Sequence, residues 1–307
     1  MPISETSLGT IRRVVVCAYV GVFLWSIFAF GIPVDRIAVL LWMMGAFAAS
    51  SVGRSRAEVK QMVRDWLILV AMYMAYDYSR GTADQWGIGV NYTLLRDVDR
   101  LLTFGHDPVL VMQRHFYVPN DVKWYDVVGA ILYMTHFVVP VLPLVLLRMR
   151  NRGSWIQYVR RFSLTIGIAV FCFIVFPAAP PWMIAEKGYL SSVSRITGRG
   201  WWELHLKTVS KTLDRGAAVL NPVAAMPSLH AGLSLLAALW FARNARRWVR
   251  IVVLLYPVAM LTALVYFGEH YVIDCLIGFA VVVTAWKLVD VWEARRDMSS
   301  SLDQLTN

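Results

Sequence analysis

Gly268-Glu269-His270-Tyr271-Val272-Ile273-Asp274 opens an apolar run that continues to about residue 292. A helix of about 20 apolar residues crosses the hydrocarbon core of a bilayer, and this run has that length. The same layout occurs upstream, where Ala224-Ala225-Met226-Pro227-Ser228-Leu229-His230 leads into an apolar run that ends near residue 242. Working outward, further apolar runs cover about 14–33, 37–52, 65–79, 126–147, 162–178 and 250–267. These runs predict an all-α polytopic membrane helix bundle of about eight spans. The second and third runs are the shortest of the N-terminal three. No linker or internal repeat divides the chain. The expected organisation is a polar N-terminal tail over 1–11, a single membrane domain over 12–295 with a catalytic core at about 160–290, and a C-terminal tail over 296–307.

Composition agrees with this reading. The 307 residues are 58% hydrophobic and only 16% charged, with a mean hydropathy of +0.54, outside the range of ordinary soluble domains. The formal net charge of +10 is gathered in short clusters between apolar runs, as in cytoplasmic loops, so nucleic acid is not an expected partner. Cys17, Cys172 and Cys275 lie inside apolar runs and read as small buried hydrophobes. The six histidines form no His-Glu-x-x-His or comparable ligand set, so neither metal nor other cofactor is expected.

The basic clusters also orient the chain. Arg12 and Arg13 precede the first run; Arg54, Arg56, Lys60 and Arg64 lie between the second and third. Arg148, Arg150, Arg152, Arg160 and Arg161 follow the fourth; Arg243, Arg246, Arg247 and Arg250 follow the sixth; Arg295 and Arg296 follow the eighth. Every second connection is basic, which places both termini in the cytoplasm and His230 and His270 on the extracytoplasmic side of the plasma membrane. Of the outer connections, residues 80–125 carry apolar residues at helical intervals from Val109, as an interfacial helix does. Residues 183–226 hold Lys187, Arg195, Arg199, Lys207, Lys211 and Arg215 with Trp201 and Trp202: a basic, aromatic lid whose charge points to an anionic ligand.

His270 and Asp274 are four residues apart, so on a helix they share a face. A carboxylate one turn away can accept a hydrogen bond from the N–H of one imidazole nitrogen, which fixes the tautomer and leaves the lone pair of the other for attack or proton abstraction. His230 has no carboxylate near it in sequence and reads as the proton donor. Pro227 suits a first helical turn, where Ser228 offers its hydroxyl and backbone N–H and the helix N-terminus attracts phosphate. Glu269 falls on another face and is expected to meet solvent. His136 lies within a run, either packed or lining the pocket. His106, His115 and His205 read as surface residues.

Pro227-Ser228-Leu229-His230 and His270-Tyr271-Val272-Ile273-Asp274 resemble the second and third signature motifs of the type-2 phosphatidic acid phosphatase superfamily. Phe176-Pro177-Ala178-Ala179-Pro180-Pro181-Trp182 resembles the inositolphosphotransferase branch that contains inositol phosphorylceramide synthase. The strong resemblance covers about residues 160–290, and a weaker one runs from Tyr76 to Asp84. The superfamily's first motif is absent: Lys187 and Arg195 are eight apart, and Ile196 follows where that motif has proline. The resemblance implies a phosphohistidine on His270, oriented by Asp274, with His230 as general acid and base. Phosphate would be held by Ser228, by Arg80 in the Arg-Gly-x-x-Asp stretch, where a guanidinium can make two parallel bonds, and by Lys187 of the lid. The expected activity is transfer of a phosphorylated headgroup, such as phosphoinositol, from a phospholipid or other lipid-linked phosphate to a hydroxyl. The alternative is a lipid phosphate phosphatase that uses water. A non-enzymatic transporter would carry mid-membrane charges and repeated halves, and neither is evident.

Orientation can be measured directly. A single cysteine within residues 183–200 should react with a membrane-impermeant thiol reagent added to intact cells, and one within 148–156 should not. The reverse pattern would put the histidines in the cytoplasm.

Overall fold

The computed structural model describes residues 5–31, 33, 36–82, 85–206, 209–211 and 223–306. The N-terminal apolar runs form α1 (Glu5–Phe30), α2 (Arg36–Ser51) and α3 (Arg56–Gly81). Tyr19 and Phe23 pack edge-on against Trp42 to hold α1 on α2. α3 starts where the Ser55 hydroxyl accepts from the Glu58 N–H and Glu58 reaches back to the Ser55 N–H, a reciprocal cap. Next come α4 (Leu94–Leu102), α5 (Pro108–Phe116), α6 (Trp124–Thr135), α7 (Leu142–Arg150) and α8 (Arg152–Val175). The short α9 (Pro181–Glu186) and α10 (Gly200–Glu203) lie in the lid, followed by α11 (Leu229–Ala242), α12 (Arg247–Tyr266) and α13 (Val272–Thr306). α1 and α13 thus extend helix into both expected tails.

By length and composition, Ser7–Ile27 of α1, all of α8 and α12, and Val272–Met298 of α13 can each cross a membrane; α2 and α11 are shorter apolar helices. The protein is an integral membrane helix bundle. The run expected as a fourth continuous span is two helices. Between α6 and α7 the backbone turns at 136–141, where Pro140 falls; Pro143 sits in the first turn of α7, and the Tyr158 hydroxyl donates to the Pro140 carbonyl at 2.7 Å. Non-helical backbone at membrane depth needs such internal partners.

α11 is the centre of the bundle and packs against α8, α12 and α13. Its buried positions include Ala231, Gly232, Ser234, Ala237 and Ala238, and small residues of this kind let membrane helices approach closely. At the crossing with α13 the approach is backbone to backbone. A Cβ on Gly278 would lie 2.4 Å from the Ser228 carbonyl oxygen, and one on Gly232 would lie 3.0 Å from the Gly278 carbonyl oxygen.

The two ends of the bundle differ. At the end expected to be cytoplasmic, Asp65 of α3 binds Arg148 at 3.0 Å and Arg152 at 2.9 Å. Buried Arg161 of α8 reaches Asp290 and Glu293 of α13 there. The opposite end carries the long connections. α4 lies there with Leu95 and Asp99 buried and Leu101 and nearby Phe104 largely exposed, an amphipathic arrangement suited to the interface. α5, by contrast, buries Val109 and Leu110.

Gly278→Ala should lower the melting temperature of the detergent-solubilised protein and reduce its activity, because overpacking at a rigid contact costs about 1–3 kcal/mol. Gly21→Ala, where a Cβ meets nothing within 4 Å, is the control. Equal melting of both variants would mean that the α11–α13 crossing tolerates extra volume.

Candidate active site

The crossing brings both histidine motifs to one end of the bundle. Ser228 is the N-cap of α11, and its Oγ accepts from the Ala231 N–H at 3.3 Å. Its own backbone N–H donates to the Asp274 carbonyl at 3.0 Å, so that N–H, expected for phosphate, is spent on joining the two motifs. The proline-rich stretch provides a third tie. Ala178 N–H donates to Val223 O at 2.7 Å and Ala225 N–H to Ala178 O at 3.2 Å, while Asn91 pairs with Pro177 and Ala179 on the other side. Ala178 thus sits in an extended strap that holds the chain entering α11.

His270 lies two residues before α13, in the turn that enters the helix. Its Nδ1 is 3.4 Å from Asp274 Oδ2, and the same carboxylate oxygen accepts from the Tyr271 N–H at 2.9 Å. Asp274 is fully buried and His270 nearly so. A 3.4 Å separation is long for a hydrogen bond, as such contacts often are before substrate binds. The His230 ring, on the first turn of α11, stands 5.7 Å from the His270 ring, centroid to centroid. Tyr133 stacks on His230 at 4.8 Å and His136 lies 4.1 Å away at a tilt, so His136 lines the site. The arrangement offers one imidazole polarised by a buried carboxylate and a second imidazole opposite it.

The lid is held down beside His270. Glu269, expected to face solvent, is mostly buried; it accepts from Arg195 Nε at 2.8 Å and from the Thr197 hydroxyl. The Arg195 guanidinium also lies over Trp182. Gln113 of α5 pins the same segment: its Nε2 donates to Ser194 O at 2.8 Å and Tyr266 O at 2.9 Å, and its Oε1 accepts from the Ser194 N–H. Arg199 is committed to the Val118 and Asp121 carbonyls, to Asp126 and to the Tyr117 ring. Lys187 is exposed at the end of α9 with its ammonium 5.3 Å from the centre of the Tyr92 ring. Lys211 is exposed. Arg80 stands in the last turn of α3, but its side chain lies outside the described residues, as do Asp84, Lys207 and Arg215. His106, His115 and His205 are exposed.

Three polar residues of the site's surroundings escape sequence reading. Gln113 is one. Asp126 of α6 is another: fully buried, it accepts from the Tyr266 hydroxyl at 2.6 Å and the Lys123 N–H at 2.8 Å. The third is Asp99 of α4, also fully buried, which accepts from the backbone N–H groups of Val272 and Ile273 at 2.8 Å each. The one available signal was an acidic residue on the apolar face of an amphipathic segment, because a carboxylate is rarely buried without a partner. Burial, with Asp107 and Asp274 nearby, pushes the Tyr271 hydroxyl above its ordinary pKa, so it stays protonated. Among the described residues no group of three or more His, Cys, Asp or Glu side chains is placed to hold a metal ion.

This geometry sits within residues 93–288, which match the sequence profile of the PAP2 superfamily over more than half of the chain. The chain belongs to the PAP2 superfamily and is a membrane-embedded phosphotransferase or phosphatase acting on lipid phosphates. It is similar to a phosphoinositol dihydroceramide synthase of Bacteroides thetaiotaomicron, with 26% identity over 269 residues that cover 85% of this chain and 79% of that protein. No solved structure gives a significant match.

Proposed function

We propose that the protein transfers a phosphorylated headgroup, phosphoinositol in the simplest case, from a phospholipid to the hydroxyl of a ceramide-like lipid at the extracytoplasmic face. The observation that carries the reading is the pairing of His270 Nδ1 with buried Asp274, 3.4 Å apart, opposite His230. Similarity to the phosphoinositol dihydroceramide synthase supports the choice of donor and acceptor.

In the first step His270 Nε2 attacks phosphorus, and the P–O bond to the diacylglycerol oxygen breaks. His230 protonates that alkoxide. In the second step the acceptor hydroxyl gives its proton to His230 and attacks phosphorus, and the P–N bond breaks to return His270. His270 keeps its Nδ1 proton throughout, facing the Asp274 carboxylate, which stabilises the positive charge on the ring. Phosphoryl transfer depends on positioning and charge stabilisation. Ser228 with the start of α11, Arg80 and the lid lysine Lys187 are the proposed phosphate contacts. Arg195, held beside His270 by Glu269, joins them as a lid cation next to the site.

The test is purified enzyme in liposomes with phosphatidylinositol labelled in the inositol ring, with and without dihydroceramide. Label should move to a sphingolipid product only when the acceptor is present. His270→Ala and Asp274→Asn should each lower turnover by at least about a thousandfold, since both serve one nucleophile. Release of labelled inositol phosphate to water at the same rate without acceptor would make the enzyme a phospholipid phosphodiesterase, release of inorganic phosphate from phosphatidate in place of transfer would make it a phosphatase, and near-normal turnover in His270→Ala would refute the mechanism.

A further inference from the structure

α13 must satisfy the unpaired N–H groups of its first turn, as every helix must. Asp274, inside that turn, is the ordinary candidate for the task, and it already accepts from the Tyr271 N–H. The next two N–H groups, of Val272 and Ile273, are taken from outside by the two oxygens of Asp99, one each, at 2.8 Å. Asp99 belongs to α4, 173 residues away in sequence from Val272, and is fully buried. Without it, Val272 and Ile273 would compete for the Asp274 carboxylate and draw it away from His270 Nδ1.

We propose that Asp99 is a positioning residue for the nucleophile: it caps α13 from a separate helix and thereby leaves Asp274 to orient His270. This rests on the reading of His270 as nucleophile given above. Asp99 touches no reacting atom; it acts through the first turn of α13. The same helix bears the exposed Leu101 and leads to the exposed Phe104, so the element that caps α13 also presents an apolar surface suited to the membrane interface.

The protonation state of Asp99 follows from its surroundings. Burial raises its carboxyl to about 6, the N–H groups of Ile273 and Val272 oppose that rise, and Asp274 and Asp107 add to it. The charged and titratable groups around it are Asp274, Tyr271 and Cys275 at the head of α13 and Asp107 before α5, with Arg100 3.8 Å from Asp107 and Arg96 acting on Asp107 and Tyr271. Below about pH 6 the proton turns one of the two acceptor oxygens into a donor, and one N–H loses its partner.

The experiment compares Asp99→Asn with wild type in the full-length protein, using the phosphatidylinositol and dihydroceramide assay from pH 5 to 8. Asparagine has the same shape but only one acceptor oxygen. The expected result is a kcat lowered about 10- to 100-fold, as small misplacements of reacting groups cause, with KM changed less than about twofold. The ratio of kcat at pH 7.5 to kcat at pH 5.5 should also be smaller than in wild type, because the group that ionises near pH 6 is gone. Wild-type kcat with an unchanged pH profile, alongside an inactive His270→Ala, overturns the positioning role and leaves the nucleophile reading intact. An active His270→Ala overturns both. Should Asp99→Asn fail to fold, Asp99→Glu keeps the charge and both oxygens but displaces them: a lowered kcat at unchanged KM supports the proposal, and wild-type kcat overturns it.

Discussion

The site depends on one backbone contact, the hydrogen bond from the Ser228 N–H to the Asp274 carbonyl where α11 crosses α13. It forms only because Gly232 and Gly278 let the two backbones touch. Without it the two histidine motifs would be separate helix starts at one end of a bundle. With it, His230 and His270 face each other and the carboxylate of Asp274 stays buried next to His270. Membrane helices gain little from apolar burial against each other, so close packing and polar bonds of this kind carry much of their association.

The rest of the molecule supports that contact from two sides. The far end is tied by ion pairs from Asp65 to Arg148 and Arg152 and from Arg161 to Asp290 and Glu293, which fix α8 against α3 and α13. The near end is tied by neutral and charged hydrogen bonds that converge on the turns around the histidines: the Ala178 strap, Gln113, the Glu269–Arg195 pair and Asp99. Holding the two imidazoles through several independent anchors suits the proposed chemistry, which relies on position.

Much of this was legible in the sequence. Apolar run length gave the helices, and the His270–Asp274 spacing gave a pair that meets in space. The physics that remained hidden is of another kind. Helical periodicity put Glu269 in solvent, but His270 precedes α13, so the turn's geometry rather than the helix wheel directs Glu269 into the lid. Hydropathy could not see the break at 136–141, because Phe137, Val138, Val139 and Val141 keep it apolar and only Pro140 within it, with Pro143 at the start of α7, hints at a new helix. The partners of Asp99 were hidden because they are backbone N–H groups 173 and 174 residues away, and backbone donors leave no trace in residue type.

The central claim is that His270 becomes covalently bonded to phosphorus. Its most direct test is to mix enzyme with phosphatidylinositol labelled at phosphorus, omit the acceptor, quench in base within one turnover, and locate the label in the protein. The account predicts an acid-labile, base-stable adduct on His270 that disappears in His270→Ala and discharges when dihydroceramide is added before the quench. Turnover to the sphingolipid product with no labelled protein at any time point would contradict it and would require direct transfer between the two lipids.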